Sequence, residues 1–313
     1  MDLSDAPHDE IDDSWRPVPS NNGTLLTKKQ TELWSLVLDS RAIPCCVKPN
    51  GYGWQLLVPE THFDSACCEL RLFEEKNRNW PPHIPPPRSL IENTLPTVSV
   101  LILLATFHNL TLLGLSLPDR GIIDLHGLGL AHAGSILNGQ WWRLVTALTL
   151  HADLVHLASN LTIGGAFIIF LCKELGSGLA WSLLLGTGIL GNLANAFLQS
   201  PDHRSVGAST AVFGAVGIFS AISMVRYRQR LLRRWFIPVA AGLALLALLG
   251  SEGKQTDLGA HLFGFMFGIL LGSVTETLTA RHGLPGRVLN GLLALICGLV
   301  VVTAWWAALE WGC

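Results

Sequence analysis

Polar residues that could do chemistry occur inside segments of this chain that are otherwise apolar. One segment opens with the run His151 to Asn160, a second with Gly207 to Thr210, and a third with Asp257 to His261. Ionisable and amide side chains cost free energy in hydrocarbon, so their presence in such segments indicates a functional site. A serine and a histidine brought together would form a nucleophile and its base, the pair that acyl transfer requires.

Helical spacing predicts that two of these side chains share one surface. His156 and Asn160 are four residues apart, and His151 precedes His156 by about one more turn. Residues four apart lie on the same face of a helix, so the His156 and Asn160 side chains can point at a common centre. Both can donate hydrogen bonds to an oxygen there.

The serine and the remaining histidine lie near the starts of two further segments. Ser209 is placed where a helix begins, so unpaired backbone N–H groups and the positive end of the helix dipole are available to an oxyanion. Gly264 and Gly268 follow His261 by three and seven residues and lie on its face. Small residues let helices approach closely, so this pattern predicts that the helix of His261 packs against another one.

Other interpretations of the same residues are open. Ser209 alone could be a packing residue, since a serine in a transmembrane helix commonly bonds back to its own helix. Three histidines and an asparagine could bind a metal or line a proton relay, although neither HExxH spacing nor an inverted repeat accompanies them. We therefore expect no metal and no cofactor. Asp257, four residues before His261, is predicted to cap a helix and not to complete a triad.

Composition indicates a membrane protein. Half of the 313 residues are hydrophobic and only 14% are charged, and the mean hydropathy is +0.41, which is too apolar for an ordinary soluble domain. A net charge of -2 supplies no basic field, so we expect no nucleic-acid partner. The acidic start lacks a basic region followed by an apolar run, so no cleavable signal peptide is expected.

Seven apolar stretches are each near the length of about 20 residues that a helix needs to cross a bilayer. They are 94–116, 154–172, 178–199, 207–225, 234–250, 257–278 and 288–309. The stretch between the first two, residues 117–150, is polar and broken by glycines, and its tryptophans predict that it lies at the membrane interface.

The distribution of Lys and Arg predicts the orientation. Cytosolic connections are rich in these residues, and three connections of this chain are: they contain Arg226, Arg228, Arg230, Arg233 and Arg234, then Arg281 and Arg287, and before the first stretch Lys76, Arg78 and Arg88. The N-terminus is therefore predicted in the cytosol and the C-terminus outside. The polar starts of the second, fourth and sixth stretches then lie at one depth and open to the outer side.

The chain before the membrane region divides into three parts. Residues 1–25 are acidic and are predicted to be disordered, and residues 26–79 show alternating helical and strand patterns typical of a small α/β domain. Residues 80–92 contain a proline-rich linker. The vicinal pairs Cys45–Cys46 and Cys67–Cys68 lack metal-ligand spacing, so we expect reduced thiols in the cytosol.

Together these motifs resemble those of the rhomboid family of intramembrane serine proteases. The matching residues are Trp142 and Arg143, the HxxxxHxxxN pattern of His151, His156 and Asn160, Glu174-Leu175-Gly176, the GxS of Gly207 to Ser209, and the AHxxGxxxG of Ala260, His261, Gly264 and Gly268. The resemblance covers about residues 90–278. It implies a core of six helices over residues 93–278, with residues 279–313 forming one further helix.

The resemblance also implies a role for each residue. Ser209 would be the nucleophile and His261 the general base, with Phe213 stacked on its ring. His156, Asn160 and the backbone N–H of Ser209 would stabilise the oxyanion. Substrates would be membrane proteins cleaved in or near a transmembrane segment, and the membrane would be the bacterial inner membrane.

Two points qualify this resemblance. Thr210 stands where the family usually has glycine, and its β-branch is predicted to narrow the space beside the nucleophile. A catalytically silent rhomboid-like protein that binds membrane helices for quality control is the alternative function. The presence of both Ser209 and His261 favours the protease, and no oligomeric state is predicted.

Overall fold

The computed structural model describes residues 14–19, 26–51, 53–78, 88–113, 115–117, 121–227, 236–249 and 257–312. The chain divides into two compact units, Met1–His83 and Ile84–Cys313.

The first unit is a small three-stranded sheet with two helices. Its elements are β1 (Trp15–Pro17), α1 (Lys28–Asp39), β2 (Cys46–Asn50), β3 (Gly53–Pro59), a single 3₁₀ turn (Glu60–His62) and α2 (Phe63–Asn77). The sheet is antiparallel with the order β1–β3–β2. One face of it and the apolar faces of both helices bury a core that contains Trp34, Leu38, Leu56, Val58, Ala66 and Leu70. The predicted small α/β region is therefore confirmed.

Strand β1 corrects the prediction that residues 1–25 are disordered. Trp15 pairs with Pro59 across the sheet, and the N–H of Val18 donates to the Leu56 carbonyl at 2.8 Å. Val18 is buried in the same core. Local composition could not reveal this, because the strand is stabilised by a partner about 40 residues away in the chain. Residues 1–13 and 20–25 lie outside the described residues, as do residues 80–87 of the predicted linker over 80–92.

In its described residues the second unit is mainly helical. In chain order it contains α3 (Thr94–Leu113), β4 (Leu115–Leu117), β5 (Gly121–Ile123), α4 (Leu125–Gly129), β6 (Ala131–His132), α5 (Ala133–Leu137), α6 (Arg143–Thr146), a 3₁₀ turn (Ala147–Thr149), α7 (Leu154–Ser159), a π-helical turn (Asn160–Gly164), α8 (Gly165–Leu175), α9 (Ser177–Leu198), β7 (Arg204–Ser205), α10 (Ser209–Arg226), α11 (Ile237–Leu249), α12 (Leu258–His282) and α13 (Arg287–Trp311).

Among the described residues, six helices are long and apolar enough to cross a membrane. They are α3, the continuous helix from α7 through the π-helical turn to α8, and α9, α10, α12 and α13. The predicted helical membrane bundle is confirmed, but one of the seven predicted spans, the fifth, is not among the six helices. Its stretch, 234–250, contains α11, which is described over only 13 residues, with undescribed residues on both sides.

Glycines bring α10 and α12 into close contact. A Cβ added at Gly264 would collide with the Thr210 carbonyl, and one at Gly268 would collide with the Gly214 carbonyl. On the opposing helix, a Cβ at Gly217 would meet the Phe265 carbonyl. Because these positions carry no side chain, the two backbones touch directly. This packing fixes the first turn of α10 beside the first turn of α12.

The segment before α7 is held by backbone-directed hydrogen bonds. The Arg143 guanidinium is buried and donates from Nη1 to the carbonyls of Gly127 at 2.9 Å and Leu130 at 2.8 Å. Trp142 packs in a cluster with Ala304 and Ala308 of α13. The final helix therefore packs against the segment that leads into α7.

Four charged side chains form an ion cluster at the end of the bundle opposite to Ser209. Arg88 lies 2.9 Å from Glu276 of α12 and 3.5 Å from Glu174 of α8, and Arg226 of α10 lies 3.2 Å from Glu174. The side chain of Glu276 is only 3% exposed. This ion cluster (Arg88, Glu174, Arg226, Glu276) joins the segment before α3 to the ends of three helices.

Candidate active site

Ser209 and His261 meet at one end of the α10–α12 contact. Ser209 is the first residue of α10, and His261 lies in the first turn of α12. The Nε2 atom of His261 is 2.7 Å from the Oγ atom of Ser209, which is hydrogen-bond distance. The Phe213 ring lies 4.6 Å from the His261 ring, centroid to centroid, at an angle of 35°. It covers one face of the imidazole and restricts its rotation.

This pair opens into a cavity of about 590 Å³ between α7–α8, α10 and α12. The polar lining includes Asp153, His156, Ser159, Asn160, Asn192, Ser205, Ser209, Thr210, Asp257 and His261, and the apolar lining includes Val155, Ile163, Phe167, Val216 and Leu245. A cavity lined by both polar and apolar side chains suits an apolar chain that presents a polar group to the reacting pair.

Gly207 explains how the His156 ring comes close to Ser209. Its φ of +135° lies in the region that favours glycine. A Cβ at this position would be 2.6 Å from His156 Cε1, 2.8 Å from His156 Nε2 and 3.2 Å from Ser209 Oγ. The ring edge of His156 and the serine hydroxyl therefore face the space that a side chain at position 207 would occupy.

Asn160 offers a second donor to the same cavity. It is the first residue of the π-helical turn and is 7% exposed. Its Nδ2 atom is buried and has no acceptor in the part of the chain that the structure describes. A buried amide donor costs free energy when unpaired. Such a cost is offset when a ligand or a transition state provides the acceptor.

The three helices that carry these side chains differ in how they begin. Asp153 caps α7 by accepting the N–H of His156 at 2.7 Å, and Asp257 caps α12 by accepting the N–H of Ala260 at 3.0 Å. No described side chain caps α10. The first N–H groups of α10, including that of Ser209, thus remain available at the positive end of a helix dipole.

Five of the predicted site residues lie outside the cavity lining: Trp142, Arg143, His151, Gly264 and Gly268. Trp142 and Arg143 hold the segment before α7, and the two glycines hold α10 against α12. They position the cavity residues without facing the cavity.

His151 lies behind His156 and is completely buried. Its ring contacts those of His156 and His108 edge to face, with centroid distances of 5.5 and 6.1 Å. Burial, reinforced by the neighbouring His156, lowers the pKa of His151 to about 3. The imidazole is therefore neutral at neutral pH, and it supports His156 by packing.

The sequence reasoning missed the cavity residue Asn192 and assigned a different role to Thr210. The Thr210 hydroxyl donates to Asn192 Oδ1 at 3.2 Å, and a Cβ at Gly191 would lie 2.6 Å from the Thr210 methyl. Both branches of the threonine therefore contact α9. Asn192 also donates to the Leu144 carbonyl at 3.1 Å. An amide within the apolar stretch 178–199 was the signal that could have identified it.

Within the described ranges, no group of three or more His, Cys, Asp or Glu side chains is arranged to hold a metal ion.

Comparisons with known proteins assign the chain to a family. Residues 138–277 match the model of the Rhomboid domain. YdcA of Bacillus subtilis, whose name describes it as a candidate rhomboid protease, is 32% identical over 50% of this chain and 78% of its own. Rhomboid-like protease 3 of Toxoplasma gondii is 37% identical over 46% of this chain and 55% of its own, and the rhomboid protease GluP of Bacillus subtilis is 27% identical over 69% and 41%.

The fold and these matches define a class of helical membrane proteins that contains proteases of the serine kind. Within this class, the chain belongs to the rhomboid family, as its motifs indicated. It is an integral membrane protein in a lipid bilayer. Family membership supports an intramembrane protease or a rhomboid-like protein. The chain spans about half or less of the length of the Toxoplasma relative and of GluP.

Proposed function

We propose that this protein is an intramembrane serine endopeptidase that cleaves membrane proteins in or near a transmembrane segment through an acyl-enzyme. The observation that carries this proposal is the 2.7 Å separation of Ser209 Oγ and His261 Nε2 within a polar and apolar cavity. A silent member has no need of a serine and a histidine held at this distance.

Acylation follows from the geometry of the pair. Ser209 Oγ attacks the carbonyl carbon of the scissile peptide, and its proton passes to His261 Nε2. The carbonyl oxygen becomes an oxyanion, which the Ser209 N–H, the His156 ring and the Asn160 amide stabilise by donating hydrogen bonds. The C–N bond then breaks, His261 returns the proton to the leaving amine, and the acyl group stays on Ser209 as an ester.

Deacylation repeats these steps with water as the nucleophile. Water attacks the ester carbon and gives a proton to His261 Nε2, and the same donors stabilise the second oxyanion. Collapse of this intermediate returns the proton to Ser209 Oγ and releases a carboxylate product. Two residues therefore perform both halves of the reaction.

The substrate proposal rests on the apolar residues that line the cavity. Val155, Ile163, Phe167 and Leu245 line it, and a transmembrane helix that unwinds locally would place apolar side chains against them. Unwinding is needed because a helical carbonyl is already hydrogen-bonded and shielded by its own turn.

We further propose that the N-terminus lies in the cytosol of a bacterial cell, and that the cavity opens to the outer side of its inner membrane. The support is the excess of Lys and Arg in connections that include Arg226, Arg281 and Arg287. Reporter fusions after His282 and after residue 312 should report the cytosol and the outer side respectively. The reverse pattern would contradict the proposed orientation.

The decisive experiment compares four single variants of the purified protein. Ser209→Ala and His261→Ala should abolish both cleavage of a model transmembrane substrate and covalent labelling by a fluorophosphonate, while each protein stays folded. Ser223→Ala and His282→Ala, on the same two helices but outside the cavity, are the matched controls.

Two results would contradict the proposal. Cleavage at the wild-type rate by either dyad variant would remove the pair from the mechanism. A wild-type protein that binds transmembrane helices but neither cleaves them nor reacts with the fluorophosphonate would instead support the silent rhomboid-like alternative.

A further inference from the structure

A carboxylate outside the Ser209–His261 pair joins the two chain segments that carry these two residues. Asp257 immediately precedes α12, and its Oδ1 atom accepts the N–H of Ala260 at 3.0 Å while its carbonyl accepts the N–H of His261 at 3.1 Å. Its Oδ2 atom accepts hydrogen bonds from Asn195 Nδ2 at 2.6 Å and from His203 Nε2 at 2.7 Å. One side chain therefore binds three elements.

These partners belong to the approach segment (residues 199–208) and to the helix before it. Asn195 lies in the last turn of α9, and His203 precedes Ser209 by six residues. The approach segment is itself fixed further along, because the Gly207 N–H donates to the Ala147 carbonyl at 2.9 Å. His203 and Ser209 are therefore linked by a short span of backbone that is hydrogen-bonded at Gly207.

Close packing shows that this junction is tight. A Cβ at Gly259 would collide with Asn195 Oδ1 and lie 3.1 Å from Gln199 Nε2 and 3.4 Å from Asp257 Oδ1. The Asp257 side chain is 8% exposed. At such burial a hydrogen-bonded charge has few alternative partners, so its bonds fix the relative position of the elements it joins.

The Asp257 carboxyl is ionised at neutral pH in this setting. Burial alone would raise its pKa, but hydrogen bonds from His203 and from the Ala260 N–H outweigh burial and hold the pKa below its ordinary value of 3.8. The ionised form is the one that can accept all of these donors at once. A simple helix cap needs only one oxygen, and here the second oxygen is used entirely for bonds to other elements.

We propose that Asp257 is a positioning residue that sets the Ser209–His261 distance by joining the approach segment and α9 to the first turn of α12. The proposal rests on the proposed protease function for its kinetic consequence and on the hydrogen bonds alone for its structural one. Asp257 does not touch the reacting atoms, and its effect passes through His203 and Asn195 on one side and Ala260 on the other.

Two variants separate this joining role from capping. Asp257→Ser keeps an N-cap oxygen but is too short to reach both partners, and Asp257→Asn keeps the cap but places an amide or a single oxygen where two donors bind. Both should lower the rate of fluorophosphonate labelling of Ser209 and the kcat for a transmembrane substrate by roughly ten- to hundredfold, with little change in KM. Asp124→Asn, which replaces the cap of α4, is the matched control and should label at the wild-type rate.

His203→Ala approaches the junction from the other side. It should also lower the rate of fluorophosphonate labelling. The double variant with Asp257→Ser should lose little more than Asp257→Ser alone, because both changes remove the same contact between Asp257 and His203. Losses that multiply, or wild-type labelling in Asp257→Ser, would overturn the proposal and leave Asp257 as a helix cap.

Hydrogen exchange tests the junction without any activity. His203→Ala changes only the approach segment. It should nevertheless speed amide hydrogen exchange at residues 258–261, which the backbone of His203 does not contact. Unchanged exchange there would overturn the proposal whether or not the protein is a protease. If wild-type Ser209 is unreactive but this exchange responds, the proposed function fails and the junction stands.

Discussion

The polar groups around Ser209 are arranged for an oxygen that carries negative charge. The His156 ring edge and Ser209 Oγ border the same space at Gly207, and the buried Nδ2 of Asn160 has no acceptor among the described residues. The absence of a side-chain cap on α10 adds a backbone donor. Donors that are fixed in advance act most strongly on the transition state, because they need not reorganise as charge develops.

Replacing the side-chain donors should therefore slow turnover more than it weakens binding. His156→Ala and Asn160→Ala should each lower kcat by about 10²- to 10³-fold, the usual loss for one oxyanion donor. Asn160→Asp, which keeps the shape but replaces the donor by an acceptor, should be worse than Asn160→Ala. Steady-state kinetics with one transmembrane substrate would measure both constants.

Thr162→Ala is the control for these variants, because Thr162 lies on the same span, is exposed and does not line the cavity. An increase in KM at unchanged kcat in the Asn160 variants would assign that residue to substrate binding instead.

The residues that sequence reasoning identified share one property. His156 with Asn160, and His261 with Gly264, are signals within a single helix, where spacing alone fixes the shared face. Thr210 shows the limit of this method. Its position next to Ser209 predicts crowding of the nucleophile, which stays a prediction, but the contacts of its side chain with Gly191 and Asn192 were not predicted. Pairs such as Asp257 and His203 depend on which loops meet, and no periodicity encodes that.

At the scale of elements, the prediction of spans succeeded where apolar length decides the outcome. The predicted stretches 154–172 and 288–309 appear as Leu154–Leu175 and Arg287–Trp311. The polar stretch 117–150 could not be resolved from its sequence, because its short helices depend on side chains such as Arg143 that bind distant carbonyls. Hydrogen bonds of this kind have no local sequence pattern.

Helix α13 forms specific bonds with the rest of the bundle. Asn290 Oδ1 accepts the N–H of Leu179 at 3.0 Å, so a side chain of α13 caps the start of α9. Trp305 Nε1 donates to Thr149 Oγ1 at 3.1 Å, and its ring lies 5.0 Å from that of Phe107. The helix therefore contacts both the start of α9 and the segment that leads into α7.

Removing either bond should lower stability by a modest and measurable amount. Asn290→Ala deprives α9 of its cap and should cost about 1 kcal/mol, and Trp305→Phe removes one hydrogen bond while keeping an aromatic ring, for a loss of about 0.5–1.5 kcal/mol. Thermal unfolding in detergent would detect both as a lower midpoint. Trp306→Phe, at a residue that is 56% exposed, is the control, and an equal loss there would mean that α13 contributes only general packing.

At the scale of the whole molecule, the two compact units suggest that the first can be removed. A protein that begins at Pro81 keeps Arg88 and every residue of the candidate site, so it should retain wild-type cleavage. A protein that begins at Ser89 lacks Arg88 and leaves Glu276 buried with one partner fewer. Breaking a buried ion pair from one side typically costs about 3–5 kcal/mol, so this shorter protein should unfold at a lower temperature.

Cleavage assays and thermal unfolding of both shortened proteins would measure these effects. Full-length Arg88→Met is the control that separates loss of the charge from loss of the segment. If the protein that begins at Pro81 were inactive, the first unit would be part of the enzyme.

The π-helical turn at Asn160–Gly164 has a consequence for the surface of its span. Such a turn holds one more residue than an α-helical turn, and one residue corresponds to a rotation of about 100° around the helix axis. Side chains after the turn are therefore out of phase with those before it. His156 before the turn and Phe167 after it nevertheless line the same cavity. The wider turn therefore changes the angular position of the α8 side chains relative to a straight continuation of α7, while both parts of the span still contribute to the cavity.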